Sequence, residues 1–470
     1  MRLTRGPRLV AALVSLALPA AAHAQGFGLN EIGTCALARG FAATSRPCDD
    51  GSSIYWNPGA IPRSDRTLAA LGVSAVAVSG DFRQDFTGRV FDGDVPVEYP
   101  PHLFVSRPLT FKGRRASVGL GVYVPYGLTS RWRDDFPGRF LALKASLTTV
   151  YVQPNVAIEV VKDRVSVGIG PVWGHSSVEL RQAVDLSAVP TSAGSPTFGQ
   201  LGIPALTDFA RAHLDGSATG WGFNVGVAAK LADSLYFGAR YLHRIDFDYD
   251  ADATFTQVNT GLILPVGNPI TPGGVPAPLD PILAPQFTGT GPLAPQRGST
   301  TIAHPWQFQT GVSYEGIRGG NSTASLEGTW VGWKAFEELP IDFHGNAPDR
   351  VLIEDYNNSW SLRAGLENRY VDKWTGWSSR VGFAYVHTPA PDETVTPLLP
   401  DMDRYNFGIG LGVPLARDYA LDLGYLAVRT RGRRGRVIER TDRAEDAAFL
   451  NSGAYRLTAN VFALSLRARF

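Results

Sequence analysis

Apolar and polar positions alternate with a period of two along most of the chain. In "YNFGIGLGV" (405–413), one set of alternate positions is apolar or aromatic, and the other holds an asparagine and three glycines. Successive side chains of a β-strand point to opposite faces, so each such segment predicts a strand with one apolar face. The pattern fits a soluble sandwich. It also fits a transmembrane barrel, whose apolar side chains face lipid.

The spacing of these segments favours the barrel. Short connections alternate with long ones, as in bacterial outer-membrane barrels. Tight turns are predicted at 162–163, 232–233, 318–321, 372–373 and 417–418, and long loops near 178–214, 251–302, 336–354, 389–402 and 430–453. Aromatic residues cluster at the strand ends, as interfacial girdles require. The chain ends in "NVFALSLRARF", whose apolar face finishes at Phe470.

The predicted fold class is therefore all-β, a transmembrane antiparallel β-barrel of about fourteen strands. The strands are predicted near 67–81, 100–111, 114–128, 141–161, 164–177, 215–231, 234–250, 303–317, 322–335, 355–370, 376–388, 403–415, 418–430 and 454–470. This count leaves residues 25–66 outside the wall.

Residues 1–24 are predicted to be a signal peptide. "MRLTRGPR" is a basic start, "LVAALVSLALPAA" is a short apolar run, and "AHA" is a cleavage site. An uncleaved membrane anchor is the alternative, although the apolar run is short for one. The charges nearly cancel, with 44 Lys+Arg against 43 Asp+Glu, so nothing suggests nucleic acid as a partner.

The two cysteines, Cys35 and Cys48, lie thirteen residues apart in the first exported segment. An oxidising compartment makes a structural disulfide the expected state, and two free thiols are the alternative. We expect no metal site, because the pair offers too few ligands.

Several segments resemble the FadL-type (OmpP1/FadL/TodX-like) outer-membrane transporters of long-chain fatty acids and other hydrophobic compounds. They include "QGFGLNEIGTCALARGFAA", "WNPGAIP", "GLGVYVPYGLTSRW" and "LPDMDRYNFGIGLGVPLARDYALDLGYL". The resemblance implies an N-terminal plug, or hatch, at 25–66 inside a barrel at 67–470. It also implies passive uptake: ligand is captured on outer loops, the hatch rearranges, and ligand leaves sideways through a gap near strand 3.

The resemblance also suggests which residues carry this work. Phe27 and Leu29 would lie beside the ligand, although ordinary packing is the alternative. Gly119, Gly121 and Pro125 would mark the strand-3 gap, because proline cannot donate to a ladder and glycine tolerates bulges. Barrel curvature or a strand end would explain these three residues equally.

Segment 261–296 is rich in proline and glycine, yet it is unusually apolar for a solvated loop. It matches the position of the family's outer groove, together with "IPALTDFARAHL" (203–214), in which we predict one helical face. The predicted ligand contacts are Leu206, Phe209, Leu262, Leu264, Ile282, Leu283 and Phe287. Alternatively, the two loops pack on each other.

The stretch "SSIYWNPGAIPR" predicts a rigid turn within the hatch, formed by Tyr55, Trp56, Asn57, Pro58 and Gly59. A simple tether between the hatch and the first strand is the alternative. Six charged residues are predicted to face the lumen and to pair there, since an unpaired buried charge is costly. They are Arg240, Glu327, Arg363, Glu367, Arg380 and Asp422.

A cation that binds a ligand carboxylate is a further possibility, with Arg211, Arg244 and Lys334 as candidates. A basic loop at 429–443 could contact lipopolysaccharide phosphates, or it could simply be solvated.

No nucleophile elbow, zinc-protease motif, phosphate loop or dinucleotide fingerprint occurs, so we expect no enzyme and no cofactor. The expected partners are a hydrophobic ligand, outer-membrane lipid and lipopolysaccharide, and the barrel is expected to be a monomer. A general porin for polar solutes and a structural or adhesive barrel are the alternative functions.

Overall fold

The fold is that of a computed structural model, which describes residues 26–61, 65–189, 191, 195–271, 275–372, 374–435 and 450–470. The predicted signal peptide at 1–24 lies outside the described residues. Lys373 of a predicted turn and residues 436–449, which include the second half of the predicted basic loop, also lie outside them.

Fourteen antiparallel strands close into a barrel, which confirms the predicted fold class. They are β1 Leu68–Gln84, β2 Pro101–Phe111, β3 Arg114–Arg131, β4 Lys144–Val161, β5 Val165–Asp185, β6 Asp208–Ala232, β7 Leu235–Leu242 with Ile245–Gln257, β8 Gln296–His304 with Gln307–Ile317, β9 Ser322–Val331, β10 Ser359–Arg369, β11 Ser378–Val386, β12 Arg404–Pro414, β13 Tyr419–Thr430 and β14 Gly453–Arg469. All of β1 pairs with β14, so the sheet has no free edge at this junction.

Shorter elements lie inside the barrel and in its connections. The helices are α1 Thr34–Ala38, α2 Ser53–Trp56 and α3 Leu279–Leu283, and the single 3-10 turns are Pro137–Phe140, Leu186–Ala188, Ala284–Phe287, Arg318–Gly320, Trp333–Ala335 and Asp392–Thr394. The short strands are Val90–Asp92, Ile263–Leu264, Ala277–Pro278, Glu338–Phe343, Arg350–Ile353 and Arg433–Gly435. No helix among the described residues is long and apolar enough to cross a membrane.

The period-two pattern places apolar side chains outside and small or polar ones inside. On β12, Phe407 and Ile409 are 51% and 55% exposed, whereas Asn406, which directly precedes Phe407, is only 4% exposed. On β14, Phe462 and Leu464 are exposed and Ser465 is buried. An outward apolar band is what a barrel wall presents to lipid.

Three details of the predicted elements were wrong. The predicted loops 178–214 and 251–302 are shorter, because β5 continues to Asp185 and pairing with β6 and β8 extends β7 to Gln257. The helical face predicted in 203–214 is instead the start of β6, which pairs with β5 and β7 on its two sides. The predicted loop 336–354 contains a two-stranded hairpin.

Two wall strands are also interrupted. β8 breaks at Pro305, because proline has no N–H to donate to the ladder. β7 breaks at 243–244. Neither break was visible in the alternating pattern, since the apolar positions continue on both sides.

The N-terminal segment (residues 26–61) lies in the lumen, where it contacts inward side chains of many strands. Glu327 of β9 accepts hydrogen bonds from the backbone N–H groups of Thr44 and Ser45, at 2.9 and 2.8 Å. Arg240 of β7 donates to the Tyr55 carbonyl oxygen at 3.0 Å. These wall charges therefore hold the segment by its backbone.

Three further lumen charges, Glu367, Arg380 and Asp422, form a connected network. Arg380 lies 2.7 Å from Asp422, and Arg467 also pairs with Asp422. Glu367 lies 3.6 Å from both Arg380 and Arg39 of the N-terminal segment. The predicted pairing is present for Glu367, Arg380 and Asp422, and it includes Arg39 of the N-terminal segment. Arg240, Glu327 and Arg363 instead bond to neutral groups of that segment; Arg363 donates to the Asn30 side chain at 3.0 Å.

Replacing Asp422 with alanine should destabilise the barrel strongly. Asp422 is fully buried, and its loss leaves Arg380 and Arg467 without their shared carboxylate. We expect the free energy of unfolding to fall by about 3–5 kcal/mol, the cost of breaking a buried ion pair from one side. Urea titration of the protein in lipid vesicles measures this change.

Asp418→Ala is the matched control, because Asp418 pairs with Arg66 at the partly exposed periplasmic end of the same hairpin. We expect a loss below about 1 kcal/mol for this surface pair. Equal losses for the two variants would contradict the role assigned to the buried network.

Candidate ligand site

An inner cavity of about 340 Å³ lies between the start of the N-terminal segment and the wall. Its lining is mainly apolar and comes from Leu29, Val76, Val78, Val95, Pro100, Val124, Leu128, Leu147, Val150, Leu399, Met402, Val428, Leu457 and Val461. Burying apolar surface favours the binding of a hydrophobic molecule over a polar one. The cavity is therefore the first candidate site.

The strands of the wall beside this cavity are joined by an incomplete ladder of backbone hydrogen bonds. β2 pairs with β1 only between Leu68 and Val73, because β2 begins at Pro101. Beyond this point, residues 93–100 do not form a regular strand, and their backbone hydrogen bonds to β1 are spaced out, at Ser74, Val76 and Gly80. We call this interval, from Val76 across 93–100 to β3, the wall interval.

β3 is irregular on the other side of the same interval. Its pairing with β4 shifts register between Tyr123 and Tyr126, so Val124 and Pro125 lie at the shift. A register shift bends a strand and re-aims its side chains. Both Val124 and the wall residue Val76 line the inner cavity.

The beginning of the N-terminal segment, which we call the tip (residues 26–31), pairs with β3 at this irregularity. The Leu29 N–H donates to the Pro125 carbonyl oxygen at 2.9 Å, and the Gly127 N–H donates to the Phe27 carbonyl oxygen at 3.0 Å. The tip thus supplies partners to a part of β3 that β2 does not reach.

Gly119 and Gly121 serve a different contact from the one predicted. A Cβ at Gly119 would lie 2.8 Å from the Ile54 side chain, and a Cβ at Gly121 would lie 3.0 Å from it. The two glycines therefore make room for α2 of the N-terminal segment. Pro125 is the member of the predicted trio that lies at the register shift. Their role in an opening stays a prediction.

A polar group anchors the tip at its other end. The Gly26 N–H donates to Asp401 at 2.7 Å, and Arg404 donates to both the Gly26 carbonyl oxygen and Asp401. Burial raises the pKa of Glu31, although Arg404 counteracts this effect. Burial also raises the pKa of Asp403, in the loop beside Asp401, to about 7.

Phe27 and Leu29, both predicted near the ligand, have different neighbours. Leu29 lines the inner cavity. The Phe27 ring points instead among four aromatic rings, with centroid distances of 4.7 Å to Trp333, 5.3 Å to Phe336, 5.8 Å to His304 and 6.0 Å to Tyr126. We call these four rings the aromatic box.

The turn at 55–59 is bonded to the wall throughout. Asn57 donates to the carbonyl oxygens of Thr44 and Val227, at 2.8 and 2.9 Å, and accepts from the Gly59 N–H. Pro58 accepts from Asn155 of β4, and Gly59 accepts from Ser166 of β5. The turn is therefore hydrogen-bonded to three wall strands, whereas a simple tether would need no such bonds.

Two wall glycines allow this turn to approach the strands. A Cβ at Gly168 would lie 2.1 Å from the Pro58 carbonyl oxygen, and a Cβ at Gly226 would lie 2.2 Å from the Asn57 side chain. Tyr55 and Trp56 are buried beside the turn. Tyr55 packs against Tyr123 of β3 at 4.9 Å, close to the register shift.

Cys35 and Cys48 form a disulfide that closes the segment between α1 and the turn. Within this loop, Arg39 donates to Ser325 of β9 and pairs with Glu367 of β10. The disulfide loop is thus fixed to the wall opposite the wall interval. The tip has fewer anchors and carries no crosslink.

An outer cavity of about 970 Å³ lies among the extracellular connections. Its apolar lining comes from Phe140, Leu141, Leu180, Val184, Val189, Leu206, Leu214, Phe255, Leu293, Ile341, Phe343, Leu352, Leu398 and Leu450. Of the outer-loop contacts predicted from the sequence, Leu206 lies in this lining.

The other predicted outer-loop residues pack on one another. Phe209, Leu264 and Leu283 are buried in one cluster, and Leu262, Ile282 and Phe287 are packed against it. The structure places them under the loop surface, in agreement with the alternative of mutual packing. Phe255, Phe343 and Leu352 were missed, because each lies in a short or extended strand region that was predicted to be loop.

The candidate headgroup cations are engaged by nearby acids. Arg211 pairs with Asp208, Arg244 with Asp246 and Lys334 with Glu337. In the basic loop, Arg433 donates to Asp392 and to the Ala390 carbonyl oxygen, and Arg434 pairs with Asp85. Arg436 lies outside the described residues. Contact with lipopolysaccharide stays a prediction.

Comparison with known proteins places this geometry among transporters. The sequence profile of the family described as "Outer membrane protein transport protein (OMPP1/FadL/TodX)" matches residues 15–470. A long-chain fatty acid transport protein of Escherichia coli O6:H1 is 24% identical over 420 residues, which cover 86% of each chain. Outer membrane protein P1 of Haemophilus influenzae is 22% identical over 434 residues, with 86% of each chain covered.

Two solved structures share the fold. A FadL homologue of Pseudomonas aeruginosa has a TM-score of 0.77 at 22% identity, covering 95% of this chain and 100% of its own. The Pseudomonas putida toluene transporter TodX has a TM-score of 0.63 at 15% identity, covering 95% of this chain and 100% of its own.

Proposed function

Because the chain belongs to the outer membrane protein transport family (OMPP1/FadL/TodX), we propose that it takes up hydrophobic small molecules passively across the outer membrane. The substrate class is long-chain fatty acids or hydrocarbons, the compounds named for relatives that transport fatty acid or toluene. The protein is an outer-membrane β-barrel, and its relatives are transport proteins.

The observation that carries the proposal is the position of the inner cavity. It is apolar, and it lies between the tip and the wall interval. A molecule in this cavity would touch the tip residue Leu29 on one side and Val76 of the wall on the other. Movement of the tip would then free both the cavity and β3.

Capture begins at the outer cavity in this proposal. The cavity is large, apolar and placed among the extracellular connections, so it offers a surface on which a hydrophobic molecule leaves water. The ligand then passes to the inner cavity. No step needs an energy source, because transfer from an outer to an inner apolar site follows the concentration gradient.

Exit is sideways, through the wall interval. Residues 93–100 bond to the backbone of β1 at Ser74, Val76 and Gly80, so less backbone pairing must be broken there than between two regular strands. The periplasmic end offers a poorer path, because it is occupied by the disulfide loop and by charges such as Arg46 and Glu315. Passing these charges would cost a hydrophobic molecule more free energy than entering the lipid directly through the wall.

A general porin is less consistent with this arrangement. An open pore for polar solutes needs a continuous aqueous path, whereas residues 26–61 are bonded to strands around the lumen. A purely structural or adhesive barrel would not need an apolar cavity behind the wall interval. These observations support transport over both alternatives.

Leu352→Asp should slow uptake at the capture step. Leu352 lines the outer cavity, and a carboxylate there opposes the binding of an apolar chain. We expect the initial rate of labelled oleate or toluene uptake by cells to fall about tenfold, equivalent to about 1.4 kcal/mol of lost binding. Surface amounts of folded protein are measured in parallel.

Val351→Asp is the matched control for this change. Val351 is the next residue in the same short strand and is 52% exposed, outside the cavity lining. Its uptake rate should stay within about twofold of the unmodified protein, since exposed substitutions cost little. Equal defects in the two variants would count against capture in the outer cavity.

A disulfide across the wall interval should block exit. Val76 and Glu98 are directly paired, and antiparallel pairs approach closely enough for a disulfide. In the double variant Val76→Cys with Glu98→Cys, we expect uptake to fall about tenfold under oxidising conditions and to recover after reduction. The reductant is also applied to the unmodified protein, which has its own disulfide.

The paired residues Asp81 and Asp92 provide the control crosslink, because they belong to a ladder that is already continuous. Cysteines at these two positions should leave uptake unchanged in either redox state. Full transport by the oxidised Val76–Glu98 variant would refute exit through the wall interval.

A further inference from the structure

The aromatic box is a closed site that the Phe27 ring fills. Phe27 is 3% exposed, and its ring meets Trp333 and Phe336 edge to face, with interplanar angles of 81° and 83°. Edge-to-face contact is the preferred arrangement of aromatic pairs. The box therefore has the shape and the electrostatics of a site for one flat ring.

Three buried polar atoms around the box have no hydrogen-bond partner among the described residues. They are Nε2 of His304, Nε1 of Trp333 and the hydroxyl of Tyr356, whose ring contacts both Trp333 and Phe336. All three residues are at most 1% exposed. Buried polar atoms in native proteins nearly always have a hydrogen-bond partner, so three such atoms without one in a single cluster need an explanation.

The chemistry of these atoms selects a neutral hydroxyl. Trp333 can only donate, whereas Tyr356 can donate or accept. The other nitrogen of His304 is bonded to the Tyr151 hydroxyl at 3.0 Å, so Nε2 is free to serve whichever role the tautomer leaves. A hydroxyl both donates and accepts, and it can therefore pair with any of the three.

A carboxylate fits the box less well. Burial raises the pKa of Tyr356, and the nearby carboxylates of Glu354 and Asp401 raise it further, while Arg433 and Arg404 act in the opposite direction. The nearest cation of the tip, Arg404, is already shared by Asp401 and the Gly26 carbonyl oxygen. Arg433 is bonded to Asp392 and to the Asp401 carbonyl oxygen, so an anionic ligand would compete with existing partners for both arginines.

We propose that the aromatic box is a second ligand site, which Phe27 occupies in the resting protein and which takes a single aromatic ring bearing a hydroxyl, as in phenol. The proposal rests on the proposed transport function in one respect. A ligand that displaces Phe27 would also displace the tip from β3, which is the movement that the transport proposal requires. It adds a substrate class, oxygenated single-ring aromatics, to the hydrophobic compounds of the inner cavity.

Calorimetry with purified protein in detergent tests the proposal, using phenol, toluene and benzoate as probes. Phe27→Ala vacates the box, so phenol should bind this variant about tenfold more tightly than it binds the unmodified protein. Phenol should also bind the variant about tenfold more tightly than toluene does, because toluene leaves the three polar atoms unpaired. Benzoate should bind more weakly than phenol.

Phe41→Ala is the matched control. Phe41 is a buried ring of the same segment, but it stacks on Trp56 and lies outside the aromatic box. Equal phenol binding by the two variants, or toluene or benzoate binding as tight as phenol, would overturn the proposal. So would the absence of phenol binding to Phe27→Ala. Phe27→Leu, which keeps an apolar side chain, repeats the measurement if the alanine variant does not fold.

This binding measurement is independent of transport. Phenol binding that meets these expectations in a protein that does not take up oleate would contradict only the transport proposal. Normal oleate uptake with no phenol binding to either Phe27 variant would contradict only the aromatic site.

Discussion

A backbone polar group at membrane depth must have a hydrogen-bond partner, and the rest of this structure depends on that constraint. Each strand pairs with two neighbours around the closed ring, but β2 begins too late to pair with β1 beyond Val73. The tip supplies partners to β3 there, through Leu29 and Phe27. The position of the tip and the integrity of the wall interval are therefore linked by the same hydrogen bonds.

Inward-facing wall residues contact and hydrogen-bond the rest of the N-terminal segment. Wall glycines allow close approach at the turn, as Gly168 and Gly226 do beside Pro58 and Asn57. Glu327 and Arg240 bind backbone groups of the segment, so their charges are compensated without water. The disulfide ties α1 to this fixed part. The short tip lies outside the disulfide, against both the inner cavity and the aromatic box, and its movement is the step that the proposed function requires.

The sequence predicted the architecture well because lipid imposes a simple rule on it. Every wall strand must alternate, and the alternation of 405–413 is visible without any knowledge of pairing. The end of β2 was not predictable in this way, since the apolar pattern does not report which strand a residue pairs with. The strand segments beyond the membrane were missed for a related reason: Phe255 and Leu352 lie where long loops were expected.

The candidate site was only partly predictable. Leu29 was identified because the resemblance placed the tip beside the ligand, and it lines the inner cavity. The aromatic box could not be derived, because Tyr126, His304 and Trp333 are far apart in the chain and meet only after the barrel closes. The apolar residues of 261–296 were expected at a ligand surface, but burial of apolar area is satisfied equally by their packing on one another.

The most direct test of the link between tip and wall is amide hydrogen exchange at Leu29 and Gly127, with and without bound oleate. Both amides are protected by the tip–β3 pairing in the resting protein. The account predicts that ligand speeds exchange at both positions together, while the Thr44 amide, bonded to Glu327, stays protected. Unchanged exchange at Leu29 and Gly127 in a protein shown to hold oleate would contradict the account.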